Sequence, residues 1–206
     1  MNKPLGRVVS WGHELLAEIT NPGELAVDLT AGNGFDTLVL ARLVGEAGQV
    51  VAFDIQSAAL ENTRQRLLTE GFAPRIHASS RHPLQRLAGI DLVADGHEHV
   101  QEYLPGAPQA IVANLGYLPG GDRQLTTRSE STLRALKQSL QQLAVGGRLA
   151  VAVYVGHPGG EAEGEAVSRF FAELDERCFQ VLQLKIPNRL NAPFLLAAEK
   201  TSDNIY

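Results

Sequence analysis

The chain has 206 residues, of which 44% are apolar and 20% are charged, a size that suits one globular domain and is short for two. Its single cysteine, Cys178, excludes an intramolecular disulfide and a structural zinc site built from several thiolates, and no metal site is predicted. The net charge of −5 excludes nucleic-acid binding by bulk charge, although local basic patches remain compatible with it.

The predicted elements alternate between β-rich runs and segments of helical period, as in βαβ units around a mostly parallel sheet. In the first half they are a helix over Val8–Ile19, a strand over Leu25–Leu29, a helix over Asp36–Leu43, a strand over Gln49–Phe53 and a helix over Ala58–Thr69 with Ser57 as its N-cap. In the second half they are strands over Ile90–Ala94 and Ala110–Ala113, a helix over Thr127–Leu143, a strand over Arg148–Val155, a helix over Glu161–Glu176, and a terminal strand pair over Phe179–Lys185 and Pro193–Glu199. This order predicts an α/β fold of the Rossmann-like methyltransferase type, with a mostly parallel seven-stranded sheet and an antiparallel C-terminal strand.

The sequence offers no membrane segment and no targeting segment. The longest apolar runs, such as Leu149–Val155, are far shorter than the roughly 20 residues of a membrane span. The N-terminus lacks the charged start, apolar stretch and cleavage site of a signal peptide. We therefore expect a cytoplasmic protein with no membrane partner. The sequence is compatible with a homodimer.

The turn after the first predicted strand predicts a nucleoside-cofactor site. The strand ending in Asp28-Leu29 runs into Gly32-Asn33-Gly34, and Asp54 lies 20 positions beyond Gly34, at the end of the next strand. The glycines let the backbone approach a ligand, and the carboxylate can accept hydrogen bonds from both hydroxyls of a ribose. Gln56 follows Asp54 closely enough to cover one face of an adenine.

The residues after this turn distinguish two nucleoside cofactors. A dinucleotide fingerprint needs a third small residue, but Asp36 and Thr37 stand there, and a carboxylate beside the turn repels a pyrophosphate. The same carboxylate suits the sulfonium and α-amino group of S-adenosylmethionine (SAM), which is therefore favoured. Asp36 also fits a purely structural role as an acid in the first turn of a helix. The alternative is an NAD-dependent oxidoreductase, for which the third glycine and a Tyr-x-x-x-Lys pair are lacking.

Two later strand ends supply further candidate residues. Asp95 and His97 follow the strand Ile90–Ala94, where such a sheet places an adenine, although a solvated turn would explain them equally well. Asn114 follows the next strand and Tyr117 follows Asn114 closely, so an amide and an aromatic face are available to hold a planar base that bears an amine. A protonated amine must lose a proton before it attacks a methyl group, and Asp122, His157 or water could accept it.

The combined motifs resemble the bacterial putative rRNA methylase family. The resemblance runs from about Arg7 to Lys200, and its most specific block is Asn114-Leu115-Gly116-Tyr117-Leu118-Pro119-Gly120-Gly121-Asp122. It is also carried by Asp28–Thr37, Asp54-Ile55-Gln56, Thr126-Thr127, Gly156-His157-Pro158-Gly159-Gly160 and Asn191-Ala192-Pro193-Phe194. The resemblance implies a class I SAM-dependent methyltransferase fold. It also implies methyl transfer to the aminomethyl nitrogen of 5-aminomethyl-2-thiouridine at the tRNA wobble position.

Two departures from the family pattern are visible. The segment Phe72–Leu87 is longer than the family usually has between its second helix and third strand. Asp95-Gly96-His97 stands where the family more often has Asp-Ser-His.

A tRNA anticodon region is the expected partner, so positive charge must be concentrated locally. Residues 64–90 carry five arginines against one glutamate, whereas residues 161–176 are strongly acidic. A solvated surface explains the arginines equally well. Further candidates for phosphate contacts are Arg123, Arg128, Arg134 and Lys137. The alternatives are methylation of rRNA or another nucleobase, and a non-catalytic RNA-binding module.

Overall fold

The elements follow one another in nearly regular β/α alternation. The structure is a computed structural model that describes residues 5–116, 120 and 126–203. The first elements are α1 (Val8–Ala17), β1 (Leu25–Asp28), α2 (Phe35–Val44), β2 (Gln49–Phe53), α3 (Ser57–Thr69), β3 (Arg75–Ala78) and β4 (Gly89–Ala94). After a 3₁₀ turn at His97–His99 come α4 (Val100–Tyr103), β5 (Ala110–Leu115), α5 (Ser129–Gln142), β6 (Arg148–Val153), α6 (Gly160–Ala172), β7 (Phe179–Leu184) and β8 (Phe194–Lys200).

In the described residues these strands form one eight-stranded sheet in the order β3-β4-β2-β1-β5-β6-β8-β7. The neighbouring pairs are parallel except for the two that involve β8, which runs antiparallel to β6 and to β7. The mostly parallel Rossmann-like sheet with an antiparallel C-terminal strand is therefore confirmed. The chain leaves β1 toward β2 on one side and reaches β5 on the other, so a topological switch point lies at their carboxyl ends, where such sheets bind ligands.

The predicted count of seven strands is one too low, because β3 was not expected. This four-residue strand lies within the long segment Phe72–Leu87 and, in the described part of the chain, pairs with β4 alone, at the edge of the sheet. Its residues are alternately half-buried and exposed, so it lacks the apolar run that marks the central strands. Arg75 of β3 donates to Asp91 of β4 at 2.7 Å, which ties the added strand to the sheet.

Helices cover both faces of the sheet, and this explains why its central strands are apolar along their whole length. All residues of β1 and β2 are buried. One face packs against α1, α2 and α3 through residues such as Leu16, Leu40 and Leu67, and the other packs against α4, α5 and α6 through residues such as Tyr103, Leu136 and Phe171. The two cores hold the carboxyl ends of the strands at one common edge.

The predicted helices are present, but several of their bounds are wrong: α1 ends at Ala17 and not at Ile19, α2 spans Phe35–Val44, and α5 spans Ser129–Gln142. Two further differences concern α3 and α6. Ser57 is the first residue of α3 rather than its N-cap, a position that Gln56 occupies without a side-chain capping bond. The helix predicted over Glu161–Glu176 ends at Ala172, because Asp175 and Arg177 form a turn in which the Asp175 carboxylate accepts a bond from the Arg177 amide.

None of the helices in the described ranges has the length and apolar composition that a bilayer crossing requires. Within the same ranges no group of three or more His, Cys, Asp or Glu side chains is arranged to hold a metal ion.

Candidate functional site

A cleft of about 860 Å³ opens at the carboxyl ends of β1, β2, β4 and β5. Its size falls within the range of small-molecule sites in proteins. The predicted site residues among those that line it are Gly32, Asn33, Asp36, Asp54, Gln56, Asp95, His97 and Asn114. The fold thus brings together residues that are up to 82 positions apart in the sequence, from Gly32 to Asn114.

Three other predicted residues lie outside the lining of the cleft. Gly34 has a positive φ of 76° and packs against Thr63, and Thr37 is fully buried. His157 lies beside Gly116 and Gly160, with its Nδ1 3.1 Å from the carbonyl oxygen of Pro158. Tyr117 and Asp122 lie outside the described residues.

Asp28 stabilises the turn after β1 through hydrogen bonds to its carboxylate. Its carboxylate accepts hydrogen bonds from the Thr30 amide at 3.0 Å and from the Thr37 hydroxyl at 2.6 Å. Complete burial, together with the nearby charge of Asp36, raises the pKa of Asp28 to about 7. The Asp28 carboxyl group, on β1, therefore connects the turn, through Thr30, to α2, through Thr37.

Asp54 is held in place by two backbone amides. Gly32 donates to its Oδ2 at 3.0 Å and Gln56 donates to its Oδ1 at 2.9 Å. Burial nevertheless raises the pKa of Asp54, because the carboxylate is largely removed from water. Each oxygen keeps acceptor capacity, so the group fits the two hydroxyls of a ribose.

His97, in the cleft wall, provides a hydrogen-bond acceptor, its Nε2 atom, that could receive a donor from a ligand. Its Nδ1 lies 3.3 Å from the Leu29 carbonyl oxygen, which can only accept, so this nitrogen carries the proton. Burial lowers the pKa of His97 and keeps the ring neutral at pH 7. Its Nε2 is buried with no hydrogen-bond partner in the described residues. A buried acceptor of this kind fits a donor on a bound ligand, such as the exocyclic amine of adenine.

Asp95 is already engaged by protein donors. Its carboxylate accepts from the Tyr103 hydroxyl at 2.7 Å and from the Ser79 hydroxyl at 2.8 Å. Burial by itself would raise the pKa of Asp95, but these hydrogen bonds outweigh it and lower the value. Because Ser79 belongs to the long segment Phe72–Leu87, that segment supports one wall of the cleft.

Asn114 is hydrogen-bonded to Thr30 in the turn after β1 (residues 29–34, here called the cofactor turn) and to Asp36 in the first turn of α2. Its amide N–H donates to the Thr30 hydroxyl at 2.8 Å, and its side-chain Nδ2 donates to Asp36 Oδ2 at 2.5 Å. The other Asp36 oxygen contacts Nε2 of His13, on α1. The Oδ1 of Asn114 is buried and has no partner among the described residues.

Sequence reasoning missed His13, Tyr154 and Glu163. Tyr154 lines the cleft directly after β6, and the rule that ligands bind beyond strand ends could have identified it. Nothing in the local sequence marks His13, because its partner Asp36 lies 23 residues away. Glu163 is buried on α6 and accepts from the hydroxyls of Thr127 and Thr132, both at 2.7 Å.

The arginines of residues 64–90 are engaged within the chain. The side chains of Arg64, Arg75 and Arg81 pair with Glu61, Asp91 and Asp95, respectively. Arg66 and Arg86 donate to backbone carbonyl oxygens. At the cleft itself the cationic lining residues are Arg128 and Arg134. Among the described residues, the positive charge beside the site therefore comes from Arg128, at the N-cap of α5, and from Arg134, which pairs with Glu130 on the same helix at 3.4 Å.

Known proteins with the same fold are similar along nearly the whole chain. The family model described as "Putative rRNA methylase" matches residues 50–200. A putative rRNA-methylase from Clostridium thermocellum is 33% identical with a TM-score of 0.85, covering 97% of this chain and 100% of that one. A putative methyltransferase from Streptococcus mutans was solved in complex with S-adenosylhomocysteine (SAH). It is 35% identical with a TM-score of 0.80, and the match covers 97% of this chain and 99% of that one.

Among curated proteins, the chloroplastic tRNA (mnm(5)s(2)U34)-methyltransferase of Arabidopsis thaliana is 32% identical over 191 residues. The alignment covers 89% of this chain and 66% of the plant protein. Taken with the strand order and the cleft, these similarities define the class of the protein: it is a SAM-dependent methyltransferase. More specifically, the chain belongs to the putative rRNA methylase family.

Proposed function

We propose that the protein transfers a methyl group from SAM to the aminomethyl nitrogen of 5-aminomethyl-2-thiouridine at the wobble position of tRNA. The observation that carries this proposal is the position of Asn114. Its side chain lies in the cleft wall beside the cofactor turn, with its amide oxygen buried and unpartnered in the described part of the chain. An amide oxygen accepts hydrogen bonds, so it suits an N–H of an amine rather than a carbon nucleophile. The 32% identical plant relative, named for a wobble-uridine substrate, supports the same choice.

The chain's own residues divide into two groups in this proposal. Gly32, Asp54 and His97 would hold the nucleoside part of the cofactor, through close backbone approach, ribose hydrogen bonds and the adenine amine, respectively. Asn114 would orient the accepting nitrogen by taking one of its N–H groups. SAM supplies an activated methyl group on a sulfonium when it is bound. Alignment of the reactants is then the main task of the protein, and it can contribute up to about 7–11 kcal/mol in ideal cases.

The accepting nitrogen must lose a proton before it reacts. An alkylamine is mostly protonated at neutral pH, and the protonated form has no lone pair to attack with. Asp122 and His157 remain the candidate acceptors, with water as a third. Of these, His157 lies beside Gly116, two residues beyond Asn114.

Phosphate contacts would come from the rim of the cleft. Arg128 and Arg134 both line the cleft and are exposed, at the start of α5. An unstacked wobble base could enter the cleft while these guanidiniums contact the neighbouring phosphates. We expect replacement of either arginine to weaken tRNA binding and to reduce its salt dependence, with little effect on the affinity for SAH.

Methylation of rRNA is the second candidate, because the family name and the Clostridium thermocellum relative point to it. Nucleoside mass spectrometry of tRNA and rRNA from a strain that lacks the gene separates the two. The tRNA proposal predicts accumulation of 5-aminomethyl-2-thiouridine in tRNA and unchanged rRNA nucleosides. Loss of a methylated rRNA nucleoside with unchanged tRNA would favour the second candidate.

A further inference from the structure

His13, Asp36 and Asn114 form a continuous chain of side-chain contacts from α1 through α2 to the end of β5. His13 Nε2 contacts one oxygen of the Asp36 carboxylate, and Asn114 Nδ2 donates to the other at 2.5 Å. The Asp36 and His13 side chains are only 12% and 24% exposed. Contacts on both oxygens fix the rotation of the carboxylate, so Asp36 has one orientation relative to Asn114.

This contact decides which end of the Asn114 amide faces Asp36. A carboxylate only accepts hydrogen bonds, so it must face the NH₂ group of Asn114 and not its oxygen. If the amide were reversed, two acceptors would face each other in a buried site, which is costly. The remaining end of the amide is then Oδ1, the atom left without a partner in the described residues.

We propose that His13 and Asp36 are positioning residues that act through Asn114, by turning its amide so that Oδ1 receives the N–H of the methyl-accepting amine. This inference rests on the proposed function and assigns Asp36 to the substrate side of the cleft. It differs from the expectation that Asp36 contacts the sulfonium or α-amino group of SAM. The two roles differ in a measurable way, because a cofactor ligand affects SAH binding and a positioning residue for Asn114 affects turnover.

The test compares His13→Phe, which keeps a ring but removes the donor, with His13→Gln, whose amide nitrogen can restore it. The matched control is His99→Phe, which removes another histidine–carboxylate pair, that with Glu102, outside the cleft. Each protein is assayed for SAH affinity by calorimetry and for kcat and KM with tRNA that lacks the final methyl. Solvent exchange of the Asn114 side-chain NH₂ is followed by NMR in the ligand-free protein.

We expect His13→Phe to lower kcat by about tenfold to a hundredfold, the loss typical of a reacting group misplaced by about 1 Å. SAH affinity should stay within about twofold, and His13→Gln should recover most of the rate, since it restores the hydrogen bond that positions Asp36. In an Asn114→Ala background His13→Phe should cause no further loss, because the two residues act as one unit. Exchange of the Asn114 NH₂ should be faster in His13→Phe than in the wild type.

Three results would overturn the inference. One is a loss of SAH affinity that accounts for the loss of rate. Another is a double variant in which kcat falls by the product of the fold-losses that His13→Phe and Asn114→Ala cause separately. The third is unchanged exchange of the Asn114 NH₂ in His13→Phe. A wild-type protein that methylates no tRNA would refute the proposed function instead, and the exchange measurement would still decide the role of His13.

Discussion

The hydroxyl of Thr127 donates a hydrogen bond to the buried carboxylate of Glu163, 2.7 Å away. The same hydroxyl oxygen accepts the amide N–H of Gly116 at 3.0 Å, and the Thr127 amide donates to the Gly116 carbonyl at 2.9 Å. Glu163 also accepts from Thr132 on α5. One carboxylate on α6 therefore connects α5 to the end of β5, two residues beyond Asn114.

We predict that Glu163→Ala destabilises the fold, because it leaves the buried hydroxyl of Thr132 and the half-buried hydroxyl of Thr127 without their acceptor. A buried group without its partner costs about 1–3 kcal/mol, and a half-buried group costs less because water can replace the acceptor. The control is Glu165→Ala on the exposed face of the same helix, which should change stability by less than about 0.5 kcal/mol. Denaturant unfolding measures both. Equal stabilities of the two variants would show that the Glu163 contacts contribute nothing.

Asp28 gives a prediction about pH. Its pKa of about 7 in the fold lies well above the value of about 3.9 in an unfolded chain. Between these values the folded protein holds a proton that the unfolded chain has released, so this group's contribution to stability is greatest below about pH 4 and falls as the pH rises to 7. Asp28→Asn cannot ionise and should be more stable than the wild type at pH 8, by a few kcal/mol at most.

The measurement for Asp28 is the difference in unfolding free energy between Asp28→Asn and the wild type at pH 5 and pH 8. Ionisable groups that do not interact with Asp28 cancel in this difference, whereas its charged neighbours Asp36 and Asp54 contribute to it. The unfolding free energy of Asp28→Asn minus that of the wild type should be clearly larger at pH 8 than at pH 5. A difference that is the same at both pH values would mean that Asp28 does not titrate with a raised pKa.

Asp54 should determine affinity for the cofactor. Asp54→Ala removes the acceptors proposed for the ribose and also frees the amides of Gly32 and Gln56. We expect SAH to bind about tenfold to a hundredfold more weakly, since a hydrogen bond to a charged group contributes about 1.5–3 kcal/mol. Calorimetry is the measurement, with the exposed Glu176→Ala as the control. SAH affinity equal to that of the wild type would remove Asp54 from the binding site.

Gly34 is required by both its backbone angle and its surroundings. It has a φ of 76°, and a Cβ atom there would lie 2.8 Å from Thr63 Cα, on backbone that cannot turn away. Gly23 has a similar φ of 94° but nothing within 4 Å of such an atom. Both alanine variants carry the strain of a positive φ, and Gly34→Ala adds overpacking of about 1–3 kcal/mol. Thermal unfolding of the two variants isolates that difference, and matching melting temperatures would contradict it.

Much of the sheet could be predicted because its central strands are buried on both faces and are therefore continuous apolar runs. The prediction for β2 matches the structure at both ends, and that for β1 extends one residue too far. The edge strand β3 was missed because only alternate residues are half-buried, so its sequence carries no comparable signal.

The residues of the cleft could be predicted where they lie at the ends of strands: Asp54 and Asp95 directly follow β2 and β4, and Asn114 is the penultimate residue of β5. The carboxyl ends of parallel strands meet at one edge of the sheet, so a residue at the carboxyl end of a predicted strand can be expected at the site. His13 and Glu163 lie on helices and reach the site through tertiary contacts with Asp36 and Thr127. Such contacts depend on how the helices pack, which no local pattern encodes.

The most direct test of the central claim incubates the purified protein with methyl-labelled SAM and with tRNA whose wobble nucleoside is 5-aminomethyl-2-thiouridine. Nucleoside mass spectrometry then locates the label, with Asn114→Ala as the comparison. The account predicts one added methyl group on that nucleoside with the wild type and a much slower reaction with Asn114→Ala at similar SAH affinity. Absence of label from the wobble nucleoside, or equal rates for the two proteins, would contradict it.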